Sequence, residues 1–168
     1  FAGGMLLCAR PDFKAGPDRA LSLGAHLTVM SQHDPVSRLS DGRFVVTRHL
    51  SAVTHPESDP ASVAETCLGT PYLWGGNGTD GLDCSGLISL AFGMCGATCP
   101  GDSDLQETSM GTPLKTGTAC QRGDLLFWRG HVALATDHET LIHANAHHMA
   151  VTQEPIAAAI ARISAQGD

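Results

Sequence analysis

Residues 69–92 of the 168-residue chain read GTPYLWGGNGTDGLDCSGLISLAF. A glycine-rich loop precedes one cysteine, Cys84, and an apolar helical pattern follows it. Apolar residues recur there at three- and four-residue spacing: Leu87, Ile88, Ala91 and Phe92. This spacing predicts a helix with one buried face and with Cys84 at its N-terminus. The helix dipole favours a thiolate at that position and can lower the pKa of a thiol. A buried cysteine that merely starts a helix also fits, so both interpretations stay open.

The loop before Cys84 contains two aromatic residues and a cluster of glycines. Tyr72 and Trp74 lie in an extended segment that leads into residues 75–78, of which three are glycine. Such glycines let the backbone approach another group closely. The loop lacks the Gly-Lys-Ser/Thr sequence of a phosphate-binding loop, so a nucleotide site is disfavoured.

A short helix is predicted before this loop. Asp59 has the properties of an N-cap and Pro60 those of a first helical residue. Gly69 is expected to end the segment. Cys67 lies on the apolar stripe of this helix and is predicted to belong to the core.

Three apolar runs in the second half of the chain predict consecutive strands: residues 123–128, 131–135 and 140–144. A turn at residues 137–139 separates the last two runs. If the turn centres on residue 137 or 138, His131 lies opposite His143 or diagonal to it by two residues, on the same sheet face. A register shift of one residue would put the two imidazoles on opposite faces.

A reactive thiol needs a base, and the base needs a group that orients it. Cys84, His131 and His143 could supply the nucleophile, the base and the orienting group. The chain contains nine histidines, which allow many accidental pairings. From spacing alone this triad is therefore a hypothesis.

Residues 149–152 predict a further strand, and residues 155–163 predict a closing helix.

No metal or other cofactor is expected. The histidines at 147–148 are interpreted as surface loop or substrate rim, because no carboxylate or thiol lies at a spacing that suits a metal site. Cys95 and Cys99 lack a fourth ligand for zinc.

The first third of the chain predicts a small β-barrel. Residues 1–55 alternate short apolar runs with turn signals. The runs are residues 5–9, 25–30 and 43–47. Asp41-Gly42 predicts a hairpin. Residues 56–61, which are polar and contain two prolines, predict a linker to a second domain at 62–168. The barrel could be purely structural, or it could restrict or bind the substrate.

Composition excludes some classes of protein. The net charge of −7 disfavours a nucleic-acid partner. No apolar run approaches the 18 residues that predict a membrane-spanning helix. The six cysteines are too sparse for a disulfide scaffold, which favours a reducing, cytoplasmic location. The chain opens on an apolar run, residues 1–9, typical of the middle of a strand. A removed signal, and with it a periplasmic or secreted location, therefore stays open.

Residues 62–165 resemble the NlpC/P60 family of papain-like cysteine peptidases. Five motifs carry the resemblance, together and in family order: GTPYLWGG at 69–76, LDCSGL at 82–87, RGDLLFW at 122–128, GHVAL at 130–134 and LIHA at 141–144. Residues 1–55 resemble, on weaker pattern-level grounds, the bacterial SH3-type domain often found before this peptidase. The implied fold is α+β: a small SH3-like β-barrel, then a papain-like domain whose N-terminal helices pack on an antiparallel sheet.

The resemblance also implies an activity. Such enzymes hydrolyse the bond between γ-D-glutamyl and a diamino acid, usually meso-diaminopimelate, in murein peptides or peptidoglycan. By position, Cys84 would be the nucleophile that forms a thioester, His131 the base and His143 the polar third member. The Tyr72 hydroxyl and the Cys84 backbone N–H would stabilise the oxyanion.

The same resemblance assigns residues to substrate binding. Asp83, Ser85 and Ser103 would help to hold the L-Ala amine and the D-Glu carboxylate, and Trp74 is also assigned to the substrate. Three alternatives remain: a murein amidase on the same fold, an acyltransferase on the same fold, and a non-catalytic wall-binding module.

Overall fold

The structure is a computed structural model that describes residues 5–12, 14, 16–78, 80–115 and 117–165. Its described residues form two compact units, which divide between Pro56 and Glu57. The predicted domain bounds (1–55, 56–61 and 62–168) stay predictions. The prediction that the chain opens inside a strand falls partly on residues 1–4, which lie outside the described residues.

The N-terminal unit contains five strands: β1 (Met5–Cys8), β2 (Arg19–Leu21), β3 (Val29–Ser31), β4 (Val36–Leu39) and β5 (Phe44–Val46). They form an antiparallel sheet with the order β2-β1-β5-β4-β3. Leu7, Leu39 and Val45 form its buried core. A short 3-10 helix, Thr47–His49, follows β5. That this unit is of the SH3 type stays a prediction.

The predicted hairpin is confirmed, whereas one predicted strand begins too early. Strands β4 and β5 pair antiparallel around Asp41-Gly42, where Gly42 has a φ of +86°. The strand predicted at 25–30 is observed at Val29–Ser31. A turn in which the Ala25 N–H donates to the Ser22 carbonyl, at 3.1 Å, occupies the start of the predicted run.

The C-terminal unit combines helices with a four-stranded antiparallel sheet, in which each strand after the first pairs with the one before it in the chain. Its helices are α1 (Pro60–Glu65), α2 (Cys84–Met94), α3 (Ser103–Ser109) and α4 (Ile156–Ala165). Its strands are β6 (Asn77–Gly78), β7 (Gly81–Leu82), β8 (Leu125–Trp128), β9 (His131–Ala135), β10 (Thr140–Asn145) and β11 (Ala150–Pro155). The predicted mixture of helix and sheet is confirmed.

Helix α1 begins as predicted. The Asp59 carboxylate accepts a hydrogen bond from the Ala61 N–H at 3.0 Å, and Pro60 is the first helical residue. Cys67 is 3% exposed, so the prediction that it belongs to the core is confirmed. Arg122 fastens this helix to the sheet region, because it donates to Glu65 at 2.9 Å and to the Thr136 carbonyl at 2.8 Å.

Strands β9 and β10 pair in a register that the sequence allowed, with His131 and His143 on the same face of the sheet. Leu141 lies opposite Ala135 and Ile142 lies opposite Leu134. Continued along the strands, this register places His143 diagonal to His131 by two residues, on the same face.

The last strand is longer than predicted. The sequence predicted residues 149–152, but β11 spans Ala150–Pro155 because it pairs with β10 along the whole of that strand. Helix α4 consequently begins at Ile156 rather than at Pro155.

Helix α2 packs on strands β9 and β10 through its apolar face, on which Leu87 and Ile88 are fully buried. Helix α4 packs on β11, and Ala159 joins a buried cluster with Ala133 and Leu141. Across the ranges that the structure describes, no helix is long and apolar enough to cross a membrane.

Candidate active site

Cys84 is the first residue of α2, as predicted, and Asp83 caps the helix. One Asp83 carboxylate oxygen accepts from the Gly86 N–H at 2.7 Å, and the other accepts from the Gly75 N–H at 2.8 Å. The carboxylate therefore connects the glycine-rich loop to the N-terminus of the helix by hydrogen bonds. Because it accepts backbone N–H groups, Asp83 positions Cys84 whether or not it also contacts substrate.

The glycines before Cys84 allow segments of the protein's own backbone to approach closely. A Cβ on Gly86 would lie 2.2 Å from the Gly76 carbonyl oxygen, and one on Gly76 would lie 2.6 Å from the Gly81 carbonyl oxygen. Neither distance is possible for a real side chain. The close approach that the sequence indicated is thus an internal contact between the loop and the first turn of α2.

The N–H groups at the helix terminus act on Cys84 in the expected direction, but they do not give its thiol a lowered pKa. Cys84 is 8% exposed, and its burial raises the pKa of the thiol above its ordinary value. The backbone N–H groups of Val132, Ser85 and Cys84 stabilise the thiolate, while the nearby Asp83 charge opposes it. Desolvation outweighs the N–H groups because a thiolate loses its hydration when buried. The thiol therefore needs a proton acceptor in order to become a nucleophile.

Two histidines lie together beside Cys84. The Nε2 atom of His131 is 2.8 Å from the Nδ1 atom of His143, and their ring centroids are 5.0 Å apart. His131 is the first residue of β9, and the following residue, Val132, directs its N–H at the Cys84 sulfur. The structure thus brings Cys84, His131 and His143 into one region.

His143 is fully buried and is held on its far side by a carboxylate. Its Nε2 atom is 2.7 Å from Glu154 Oε1 on β11. Burial, followed by the neighbouring His131, lowers the pKa of His143 to about 4, although Glu154 acts in the opposite direction. At neutral pH this imidazole is uncharged.

Glu154 is paired in turn with Arg162 of α4, whose Nη2 donates to the same Oε1. Burial alone would raise the pKa of Glu154, but the hydrogen bond from Arg162 and the contact with His143 hold it below its ordinary value. Sequence reasoning missed both residues. A β11 strand drawn to residue 155 would have placed Glu154 diagonal to His143, because His143 lies opposite Thr152.

Tyr72 lies near the cysteine, as predicted. Burial raises the pKa of its phenol, and the charged forms of Cys84 and Asp83 raise it further. Its backbone N–H donates to the Met149 carbonyl at 3.0 Å, and the residue also bridges to Leu82. The hydroxyl therefore remains protonated at neutral pH and can donate a hydrogen bond.

The other predicted substrate contacts differ in position. Ser85 is buried and donates to Asp83 at 3.2 Å. Ser103 is the half-buried first residue of α3. Trp74 is 84% exposed. Their contacts with substrate stay predictions.

Gln106 is a third residue that sequence reasoning missed. It is fully buried on α3, and its Nε2 donates to the Ser85 carbonyl at 3.0 Å and to the Pro100 carbonyl at 2.8 Å. It thus holds the backbone directly after Cys84. Gln106 lies three residues after Ser103, on the inner face of a short helix. This spacing is the feature of the sequence that could have identified it.

The earlier reason for excluding a metal near the histidines at 147–148 is wrong, because a carboxylate does lie there. Ligand atoms of His143, His148 and Glu154 lie within 4.8 Å of one another in the described part of the chain. Glu154 accepts from His143 and Arg162, and His148 Nδ1 is 3.0 Å from Asn145 Oδ1. These atoms already have hydrogen-bond partners, so we assign no metal to the group.

A cleft of about 390 Å³ opens beside His131. Its lining includes Arg129, Arg162, His147 and Asn145, and none of the described residues that line it is acidic. Arg162 is paired with Glu154, so the positive charge of this lining comes from Arg129, and it suits an anionic group.

Comparison with known proteins gives the class of this site. The NlpC/P60 family profile matches residues 69–162, which are more than half of the chain. The crystal structure of the NlpC/P60 domain of the peptidoglycan hydrolase SagA is 33% identical, with a TM-score of 0.53 over 58% of this chain and 87% of that one. The chain belongs to the NlpC/P60 family, a family of peptidoglycan hydrolases and peptidases.

Two further comparisons bear on the fold and on the particular activity. A NlpC/P60 family protein of Bacillus cereus ATCC 10987 superimposes with a TM-score of 0.75 over 92% of this chain and 56% of that one, at 22% identity, which shows the fold. The γ-D-glutamyl-L-lysine dipeptidyl-peptidase of Bacillus subtilis strain 168 is 35% identical over 97 residues, which are 55% of this chain and 32% of the relative. The chain spans about a third of the length of the first curated relatives that it matches.

Proposed function

We propose that the chain is a cysteine peptidase that cleaves the γ-D-glutamyl–diamino acid bond of peptidoglycan stem peptides. The observation that carries the proposal is the grouping of a buried helix-head thiol, Cys84, with the hydrogen-bonded pair His131 and His143. A relative named for γ-D-glutamyl-L-lysine dipeptidyl-peptidase activity supports the choice of bond.

In the first step the Cys84 thiol gives its proton to His131. The Nε2 atom of His131 is engaged by His143, so Nδ1 is the nitrogen that remains for the thiol. The thiolate attacks the γ-carbonyl carbon, and the resulting oxyanion accepts from the Cys84 N–H and the Tyr72 hydroxyl. When the C–N bond breaks, the leaving amine takes the proton from His131, and a thioester remains on Cys84.

In the second step water attacks the thioester carbon while His131 accepts a proton from it. The C–S bond breaks, the γ-D-glutamyl acid leaves, and the proton returns to the Cys84 sulfur. No cofactor takes part in either step.

The leaving group in our proposal is meso-diaminopimelate. It carries one more carboxylate than lysine, and Arg129 in the lining of the cleft suits such a group. The substrate itself is a murein peptide of the L-Ala-γ-D-Glu-diaminopimelate type, and we propose free, recycled peptide in the cytoplasm. The six unpaired cysteines support that location.

The decisive experiment is cleavage of L-Ala-γ-D-Glu-meso-diaminopimelate, followed by mass spectrometry of the products. We expect L-Ala-γ-D-Glu and free diaminopimelate from the wild type and no turnover by Cys84→Ala. Cys67→Ala, which changes another buried cysteine, is the matched control and keeps its activity. Full activity of Cys84→Ala would remove this residue from the mechanism.

The muramoyl form of the same tripeptide separates the alternatives. An amidase cleaves its muramoyl–L-Ala bond and releases the intact tripeptide with a free L-Ala amine. An acyltransferase leaves the γ-glutamyl group on an added amine. Equal rates on intact sacculi and on free tripeptide would overturn the preference for recycled peptide.

A further inference from the structure

The polar chain that begins at His131 does not end at His143. On β11, Glu154 presents Oε1 to the His143 Nε2 atom at 2.7 Å, and Arg162 from α4 donates to the same oxygen. Both side chains are largely buried, with exposures of 12% for Glu154 and 19% for Arg162. Three separate elements therefore converge on one imidazole.

The proton positions follow from donor and acceptor chemistry. An ionised carboxylate only accepts, so the His143 Nε2 atom must carry a hydrogen and donate it to Glu154. The other nitrogen of a neutral His143, Nδ1, is then an acceptor. His131 must donate to it from Nε2, which leaves a lone pair on His131 Nδ1.

We propose that Glu154, held by Arg162, is a positioning residue that fixes the tautomer of His143 and, through it, that of His131. The hydrogen bonds run from His131 to His143 and from His143 to Glu154. They keep the basic nitrogen of His131 available to the Cys84 thiol. Glu154 contacts His143 and Arg162, so it acts on the thiol through the two imidazoles, and its role rests on the proposed function only in that Cys84 is the reacting group.

The surroundings of His143 contain the charged groups that bear on this proposal. His131 of β9, His148 after β10, Glu154 of β11 and Arg162 of α4 face it. Among them Glu154 alone is an anion, so it is the acceptor that directs the His143 proton.

Two variants separate an acceptor from a merely structural side chain. Both His143 and Arg162 donate to Oε1, so the amide oxygen of Glu154→Gln can still accept both hydrogen bonds. Glu154→Met fills a similar volume without an acceptor and lets His143 adopt the other tautomer. Glu139→Met is the matched control, because Glu139 is 80% exposed in the β9–β10 turn.

The first measurement is the alkylation rate of Cys84 by iodoacetamide between pH 5 and pH 9, which needs no substrate. We expect Glu154→Met to slow alkylation at pH 7 by about 10–100-fold, the usual cost of losing a partner that orients an imidazole. Glu154→Gln should retain most of the wild-type rate, and Glu139→Met all of it. On the peptide, Glu154→Met should lower kcat with little change in KM.

A folded Glu154→Met variant with the wild-type alkylation rate and pH profile would overturn the proposal. If that variant does not fold, nitrogen-detected NMR of the wild-type histidines decides the matter. Protons on Nε2 of both His131 and His143 support the proposal, and a proton on Nδ1 of His143 overturns it. If Glu154→Met slows the alkylation of Cys84 but the wild type does not cleave the peptide, the proposed substrate is rejected and this inference stands.

Discussion

The two halves of the candidate site are held in place by different means. The cysteine half, at the head of α2, relies on backbone contacts: Gly76 and Gly86 allow close approach, and Asp83 accepts two main-chain N–H groups. The histidine half, on β9 to β11, relies on side chains, because His131 and His143 are connected by hydrogen bonds to Glu154. A local loop can place a thiol, but orienting an imidazole needs partners from elsewhere in the fold.

Substitutions in the histidine half should cause the largest loss of activity. We expect His131→Ala to lower kcat/KM by about 10²–10⁴-fold, the range for loss of a general base, with little loss of stability. His138→Ala, which changes an exposed histidine in the β9–β10 turn, is the control and should keep full activity. Steady-state kinetics on the tripeptide check the expectation, and a loss below tenfold for His131→Ala would contradict it.

The stability of the fold should also depend on pH through the histidine half. The pKa of His143 is about 4 in the folded chain and 6.5 in the unfolded one. Between these values the unfolded chain binds a proton that the folded chain does not, so stability falls as the pH drops from 6.5 to 4. The difference corresponds to about 3 kcal/mol.

Urea unfolding at pH 7, 5.5 and 4.5 measures this loss. His143→Asn lacks the titrating group, so the gap between the stability of the wild type and that of the variant should narrow as the pH falls. A gap that stays constant with pH would contradict the assignment.

The cysteine half should lose stability when a glycine at its close backbone contact is replaced. In Gly86→Ala the new Cβ would meet the Gly76 carbonyl at 2.2 Å, and we expect a loss of about 1–3 kcal/mol in stability together with reduced alkylation of Cys84. Gly93→Ala lies on the same helix with nothing within 4 Å, and it should gain about 0.5–1 kcal/mol. Thermal unfolding compares the two, and equal effects would show that the loop contact is unimportant.

The smallest effect is expected from the helix cap. Asp83→Ala removes the acceptor for the Gly86 and Gly75 N–H groups and should cost about 0.5–2 kcal/mol. Asp102→Ala, at the N-cap of α3, removes no side-chain cap bond and should change stability by less than about 0.5 kcal/mol. Denaturant unfolding tests both, and a larger loss for Asp102→Ala would reverse the interpretation.

Much of the cysteine half could be predicted from the sequence, because its determinants are local. The helical spacing after Cys84 and the cap and proline at Asp59 and Pro60 act over a few residues, and each was found where expected. The observed register of the β9–β10 hairpin is one of those that the turn at residues 137–139 allowed. The strand predicted at 25–30 begins later, at Val29, and a turn from Ser22 to Ala25 takes the first residue of the predicted run.

The sequence by itself determined that the thiol lies at the head of a helix, since helical spacing depends on neighbours in the chain. It allowed the register in which His131 meets His143 but left a shift of one residue open. The pKa of Cys84 was decided only by the tertiary structure, because burial against β9 outweighs the helix terminus. The partners of His143 were decided there as well. Glu154 and Arg162 reach it from β11 and α4, and such convergence depends on how strands pair and helices pack rather than on any short-range pattern.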